Sequence, residues 1–474
     1  MFKILIKYEW KLFVRNRFQL LFLAIFLLVS AYAIYYGRSE IKTQKENIEV
    51  VKTLEKEGFE KYIASFGKEP ETRKEEELKD IACKPSYAWY RHEYSASLPP
   101  HDYAALAIGQ RDLYRYYFSL TGMSLYYQLF ENELANPVNL LVGNFDLLFV
   151  LIYLFPLLII TSVYSLYAAE KEGGTLPLLR MQTISVRKIT TLRFSFHFVL
   201  ITGIALLITF GGMLVCGNPL SNYNYLSTIY WLLGVTFYSF FWYGLLYLII
   251  SFKKNSAFNA IVSISCWLLL LVIIPSLLNI VVTTKYPINS ASLSEITRRT
   301  GLENDDDKEE ANAVLKEFFE HNKTYAVTDS LIDTNFMAKT YAAFTWLKDA
   351  HSKQMVDKFN NQLSKREQWI HHLDWLNPAT NIQKSFTETS KTDWNTLIQF
   401  QRSLSPFHNQ ITHFYYSKLF WNKPLTLENY KQRPTYTWVD NNVNRWLNIR
   451  ERLSKIVLFG GILFVIGFIK FKKI

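Results

Sequence analysis

Residues 145–168 read FDLLFVLIYLFPLLIITSVYSLYA, a run whose one charged residue, Asp146, stands at its start. Its apolar residues do not alternate with polar ones, as they would in a half-buried strand, and the run exceeds the roughly 20 residues a helix needs to cross bilayer hydrocarbon. Lipid offers no partner for backbone N–H and C=O groups, whereas a helix pairs them internally. The run therefore predicts a membrane-spanning helix. Five further stretches reach or approach the same length: Gln19–Gly37, Phe194–Cys216, Thr228–Ile250, Phe258–Val282 and Ile456–Ile469. The last is short and would need tilt, local thinning or snorkelling lysines to cross comfortably. The expected fold class is an all-α membrane protein with six transmembrane helices and two mainly helical extracytoplasmic regions.

Half of the 474 residues are hydrophobic and 16% are aromatic, yet the mean hydropathy is close to zero. The apolar residues are concentrated in the six blocks, and strongly polar stretches separate them. The net charge of +11 sits in lysines and arginines flanking those blocks rather than in one groove-lining stripe, which argues against nucleic acid as a partner. Cys83, Cys216 and Cys266 are too few and too scattered for a disulfide framework or a zinc site, and read as small buried hydrophobes.

Short loops rich in lysine and arginine stay in the cytoplasm. Lys3, Lys7, Lys11, Arg15 and Arg17 precede the first block, and Lys171, Arg180, Arg187, Lys188 and Arg193 follow the second. Lys253 and Lys254 follow the fourth, and Lys470, Lys472 and Lys473 the sixth, so every cluster falls on one side. Loop 217–227 carries neither residue type, as an outer loop should. The expected division is cytoplasmic for 1–18, 169–193, 251–257 and 470–474, and extracytoplasmic for 38–144, 217–227 and 283–455, with both termini inside. A signal peptide cut after Ala31-Tyr32-Ala33 is the competing reading, but the apolar run is long for one and aromatics continue through it.

At the N-terminus, Phe2, Leu5, Ile6, Trp10 and Phe13 are interleaved with Lys3, Lys7, Lys11 and Arg15. The pattern fits an amphipathic helix with its apolar side at the lipid boundary, and equally a simple continuation of the first span. In the outer regions, 41–67 carries the first span on into charged helix, and 337–376 is a long amphipathic pattern that stops before Pro378. Neither region alternates in the manner of strands. Asp305, Asp306 and Asp307 could bind a cation or form a solvated loop. His371, His372 and Asp374 could attract a metal, although adjacent histidines point to different sides of a helix.

After the second block comes AEKEGGTLPLLR, residues 169–180. Gly173 and Gly174 allow a sharp turn, Thr175 can cap a new helix, and Leu176, Leu178 and Leu179 offer an apolar face to a partner. The stretch resembles the Glu-x-Glu-x-Gly-Thr-Leu-x-Leu-Leu signature of ABC-2 type permeases, with Glu170, Glu172, Gly174, Thr175, Leu176, Leu178 and Leu179 at the matching positions. The departure is Met181-Gln182, where relatives often have a small residue and proline. Residues 136–176, LNPATNIQKSF from Leu376 and HNQITHFYYSKLF from His408 are similar to the subset of these permeases with two large extracytoplasmic insertions. The resemblance implies a permease subunit in the bacterial cytoplasmic (inner) membrane and a cytoplasmic coupling helix at an ABC ATPase interface. It also implies a second permease copy or related permease as partner. ATP and Mg would be bound by the ATPase and no cofactor by this chain.

Three further residues stand in or beside spans. Asp146 is expected to cap a helix or, less simply, to meet a substrate; Pro156 to kink the second span; and His197 to share a hydrogen bond with a neighbouring helix or to act in a pathway. The chain has no Gly-x-x-x-x-Gly-Lys-Ser/Thr loop, so it should not hydrolyse ATP by itself. It also has no Gly-x-Ser-x-Gly elbow and no His-Glu-x-x-His helix, which argues against a membrane hydrolase. Two functions remain from the sequence: an exporter permease, and an ATPase-coupled scaffold or mechanotransmission subunit acting on envelope partners.

Overall fold

The computed structural model describes residues 2–130, 145–181, 185–287, 308–326, 336–373 and 377–472. Asp305, Asp306, Asp307 and Asp374, and the side chains of His371 and His372, lie outside the described residues. The described chain is mostly helical, and six of its helices are long and apolar enough to cross a membrane.

Asn16 separates the first helix, α1 (Phe2–Arg15), from the second, α2 (Arg17–Ser65). Its side chain accepts the Gln19 N–H at 3.2 Å, which satisfies one of the donors that a helix start leaves free. The N-terminal segment is therefore a helix of its own rather than a continuation of the first span. Of the residues on its expected apolar side, Phe13 turns inward with Glu9, while Trp10 is half exposed beside Tyr8. α2 runs unbroken for 49 residues, about 73 Å at 1.5 Å per residue. Phe26 and Ala33 pack in one core and Phe59 in another.

The remaining elements follow in order. α3 (Arg73–Cys83) starts with a capping box made by Thr72 and Glu75, and α4 (Pro85–Arg91) follows it. β1 (Tyr94–Ser97) and β2 (Tyr117–Leu120) pair antiparallel, Tyr94 opposite Leu120, and α5 (Leu125–Phe130) comes next. The second span helix is α6 (Leu147–Glu172), then the short α7 (Leu176–Arg180), α8 (Val186–Cys216), α9 (Tyr225–Ile250) and α10 (Ser256–Lys285). After these come α11 (Lys308–His321), α12 (Phe336–Leu373), α13 (Pro378–Thr389), α14 (Trp394–Leu419), α15 (Leu427–Lys431) and the last span helix, α16 (Arg445–Lys472). The strand pair adds a short β element to regions expected to be mainly helical. Each strand has only four residues, too few for alternation to stand out, although Tyr94, Ala96, Phe118 and Leu120 all face the core.

The two polar regions build one domain. A shared aromatic core takes Trp89, Tyr94 and Phe118 from the first and Phe318, Phe400 and Tyr415 from the second. The Tyr415 hydroxyl joins His92 Nδ1 at 2.7 Å and the Tyr94 hydroxyl at 2.6 Å, and the Leu425 N–H donates to the Cys83 carbonyl at 2.8 Å. Burial pushes the His92 imidazole down to about 3, so it stays neutral within this network.

The span helices form the other core. α9 lies at its centre, with Trp231, Tyr238, Trp242 and Tyr247 buried, and α16 packs along it. Gly244 and Gly460 let the two backbones approach closely. The short sixth block proves to be part of a 28-residue helix: Trp446, well before the apolar run, stacks on Tyr230 at 5.2 Å. Pro156 and Pro275 each follow a π-helical turn, Val150–Leu154 and Leu269–Ile273, in which the widened hydrogen-bond pattern accommodates the missing donor. α13 packs into the span core, with Phe386 stacked on Trp231 at 4.0 Å.

A Cβ on Gly244 would come 2.5 Å from the Gly460 carbonyl oxygen, whereas one on Gly461 meets only a ring carbon at 4.0 Å. Gly244→Ala should therefore cost about 1–3 kcal/mol as overpacking, and Gly461→Ala almost nothing. Thermal unfolding of the two variants in nanodiscs checks this; equal midpoints would remove the close α9–α16 contact.

Candidate functional site

The sequence motif falls at an end of the bundle where all six span helices present one terminus. The ring of Phe471, near the end of α16, meets the Tyr167 ring from α6 at 5.4 Å, and Lys253 after α9 lies 5.1 Å above it. Arg187 from the start of α8 covers the Phe468 ring at 4.4 Å, and Thr191 shares a hydrogen bond with the Tyr247 hydroxyl at 2.7 Å. Gln19 from the start of α2 donates to the Thr161 carbonyl at 3.3 Å. Ser256, the first residue of α10, reaches the motif directly. Arg187 and Lys253, two of the basic residues flagged in the sequence, thus lie at one end.

At the centre of this end is a buried ion cluster. Arg193, on α8, stands with Nε 2.6 Å from Glu9 of α1 and Nη1 2.9 Å from Glu170 of α6, and Nη1 also donates to the Leu166 carbonyl at 3.1 Å. Glu9 is 2% exposed and Arg193 9%. At that burial neither charge is tolerated alone, because desolvating an ion costs several kcal/mol unless a counter-charge and hydrogen bonds replace water. His197 sits one turn along α8 with Nε2 3.7 Å from Glu9. The hydrogen bond expected of its imidazole to a neighbouring helix is not made: Nδ1 is buried without a partner among the described residues, and it is the backbone carbonyl that accepts from the Tyr243 hydroxyl at 2.9 Å.

The motif residues are set by this cluster. Glu170 binds Arg193, so its carboxylate is turned into the protein. Glu172 accepts from the Ser256 backbone N–H at 2.7 Å and from the Ser256 hydroxyl, and Lys171 donates to the Lys253 carbonyl at 3.1 Å. Together these bonds clamp the end of α6 onto the α9–α10 loop. Gly174 turns the chain with φ +71°, a conformation that favours glycine, while Gly173 keeps a negative φ. Thr175 makes no side-chain cap on α7, contrary to the expectation; its hydroxyl donates to the carboxylate and carbonyl oxygen of Glu170 instead. Leu176 is buried in the bundle core, which corrects its assignment to a partner-facing side, and Leu179 is half-buried. The free apolar surface is Leu178, 65% exposed, and Met181, 85% exposed.

Of the other two sequence candidates, neither lies here. Asp146 caps the start of α6, accepting from the Phe149 N–H and, across the chain, from the Ile108 N–H, each at 2.9 Å. Pro156 is buried within α6. Sequence reading missed Glu9, Arg193 and Ser256 as members of the site. One signal was available: Glu9 is the lone acid among residues 1–18, and Arg193 and His197 share a helix face by their i, i+4 spacing.

A family model described as "Domain of unknown function (DUF3526)" matches residues 291–439, the stretch that includes α11 to α15. Among curated proteins and solved structures none matches the chain.

Arg193→Met should leave Glu9 buried without a counter-charge and cost about 3–5 kcal/mol, whereas Arg193→Met combined with Glu9→Gln should recover most of that loss. Chemical unfolding of the single and double variants checks the coupling; strictly additive losses would dissolve the cluster as a unit.

Proposed function

We propose that this chain is the permease subunit of an ABC-2 type exporter driven by a separate ATPase subunit. The observation that supports it most is the clamped segment 168–181: it is fixed on three sides by Arg193, Ser256 and the Lys253 carbonyl, yet presents Leu178 and Met181 outward. A motor must push on something rigid. A short helix that follows directly on a segment tied to α8 by the Glu170–Arg193 ion pair and to the α9–α10 loop by Glu172, with an exposed apolar tip, suits an ATPase surface that moves between two states and biases the helices behind it. On this reading the clustered basic end lies in the cytoplasm with both termini, the aromatic domain lies outside, and ATP and Mg are bound on the partner. A second permease copy, or a related permease, completes the pathway in the bacterial inner membrane.

The acidic residues act differently from a direct docking role. Glu170 and Glu172 are engaged within the chain, so their effect on the ATPase comes through the position of α7. A second function, mechanotransmission to envelope partners, is favoured by one feature: α2 passes from the bundle into the aromatic core without a break. ATP-dependent movement of a compound into reconstituted vesicles supports export, and partner remodelling without flux supports transmission.

Leu178→Asp with Met181→Asp should lower copurification of the ATPase subunit about tenfold, roughly 1.4 kcal/mol or more of interface. Glu170→Ala with Glu172→Ala should lower it less and also loosen protease protection of the segment. In intact cells, with the three native cysteines replaced, Thr175→Cys should resist a membrane-impermeant maleimide that labels Val443→Cys. Labelling of position 175 from outside would overturn the orientation and the exporter with it.

A further inference from the structure

Within the aromatic domain a cavity of about 480 Å³ lies between α12, α14 and the turn that opens α5. The spacing 346, 349, 353 and 357 on α12, and 405, 408, 412 and 416 on α14, turns one face of each helix toward it. The Tyr416 hydroxyl donates to the Ala342 carbonyl at 2.9 Å and fastens the two helices behind the cavity.

The charged groups on its buried side are already engaged. Asp349 accepts from the Ser124 hydroxyl at 2.6 Å and from the Leu125 and Tyr126 N–H groups at 2.7 and 3.3 Å, so its carboxylate holds the start of α5. His408 donates from Nε2 to the Met123 carbonyl at 2.6 Å, and burial holds its imidazole below the usual histidine range against the opposing pull of Asp349. At the rim, Lys353 and Asp357 are exposed, opposite in sign and one helical turn apart, so their charges offset each other in water.

The groups left to a ligand are uncharged. Gln354 of α12 and Ser405 and Asn409 of α14 line the cavity, and their side chains make no hydrogen bond among the described residues. The Tyr126 hydroxyl also has no partner among them; burial, and then the charges of Asp349 and Asp357, push it up to about 12, so it stays a phenol that can donate. Trp346 completes the wall, its ring set edge-on against Phe318 at 5.5 Å. Two carboxamides, an alcohol and a phenol offer donors and acceptors in nearly equal number, and the aromatic side chains offer apolar area beside them.

We propose that this cavity binds a neutral saccharide of one or two sugar rings, whose hydroxyl groups pair with Gln354, Ser405 and Asn409 while its C–H faces pack on Trp346 and Tyr126. The volume is that of a small-molecule site. A charged ligand would find no counter-charge inside, because Asp349 and His408 are spent on the backbone of residues 123–126. The site stands apart from the exporter reading, since binding is measured on this chain without any ATPase.

The probes are cellobiose, maltose and N,N′-diacetylchitobiose, titrated into the full chain in nanodiscs against empty nanodiscs and followed by saturation transfer from the protein to the sugar ring protons. The best of them should bind at least tenfold more tightly than glycylglycine, a zwitterion that fits the same space. Gln354→Ala with Asn409→Ala should weaken it about tenfold with an unchanged thermal midpoint, because both side chains are exposed. Gln410→Ala, exposed on α14 outside the cavity, should change nothing. Binding of none of the sugars, equal affinity for glycylglycine, or an unchanged affinity in the double variant would each overturn the proposal. Lys353→Gln with Asp357→Asn should leave sugar affinity as it was; a tenfold loss there would place the ligand on the rim charges and remove the neutral site.

Discussion

Arg193 needs two carboxylates because it is buried at the end of a helix bundle, and the way they are supplied organises everything around it. One comes from Glu9, on a helix outside the bundle, and the other from Glu170, on the last turn of α6. An ion pair in low dielectric is poor evidence for stability, since a hydrophobic substitute often does as well. It is far better suited to fixing position, because breaking it leaves a charge that nothing else can satisfy. The cluster thus ties α1 to α8 and α6, and sets where the segment after Glu170 begins. Glu172 then locks the same segment to Ser256, so the motif acts as a bracket between α6, α8 and the α9–α10 loop.

The distant end is joined to this bracket by covalent helix rather than by a chain of contacts. α2 begins one residue after Asn16, beside the α1 helix that carries Glu9, and ends inside the aromatic core. α16 runs from the Glu388–Arg452 pair to Phe471. A displacement at either end is carried by rods that cannot shorten without losing backbone hydrogen bonds. Both uses proposed for the chain, export and transmission, depend on that rigidity.

The spans were legible because hydrocarbon imposes length and uniform apolarity on any helix that crosses it, and residues 145–168 meet both demands. The turn at Gly173-Gly174 and the capping by Asp146 were equally local and were read from the residues themselves. The roles of Leu176 and Thr175 were not, because a short apolar run does not say which of its leucines faces the core; only α8 and the clamp decide that. Glu9 was hidden for a different reason. In a basic amphipathic segment a single acid reads as part of the polar face, and its burial follows solely from Arg193, 184 residues away in the chain. The union of the two polar regions into one core likewise rests on pairings such as His92 with Tyr415, which no local pattern encodes.

The acids at the two ends of the bundle are spent in the same way, on holding helix termini. At the clustered end, Glu9 and Glu170 meet Arg193 near the start of α8, and Glu172 meets Ser256 at the start of α10. At the other end, Asp146 begins α6 and Asp393 begins α14, each an acid drawn to a helix N-terminus by its unpaired N–H groups and dipole. Both oxygens of each carboxylate are engaged: Asp146 accepts from the Phe149 and Ile108 N–H groups, and Asp393 from the Thr396 N–H and hydroxyl. The Ile108 bond ties the start of α6 to the first polar region, as the Glu170 bond ties its far end to α8, so the helix is pinned at both termini by carboxylates rather than by its apolar length alone.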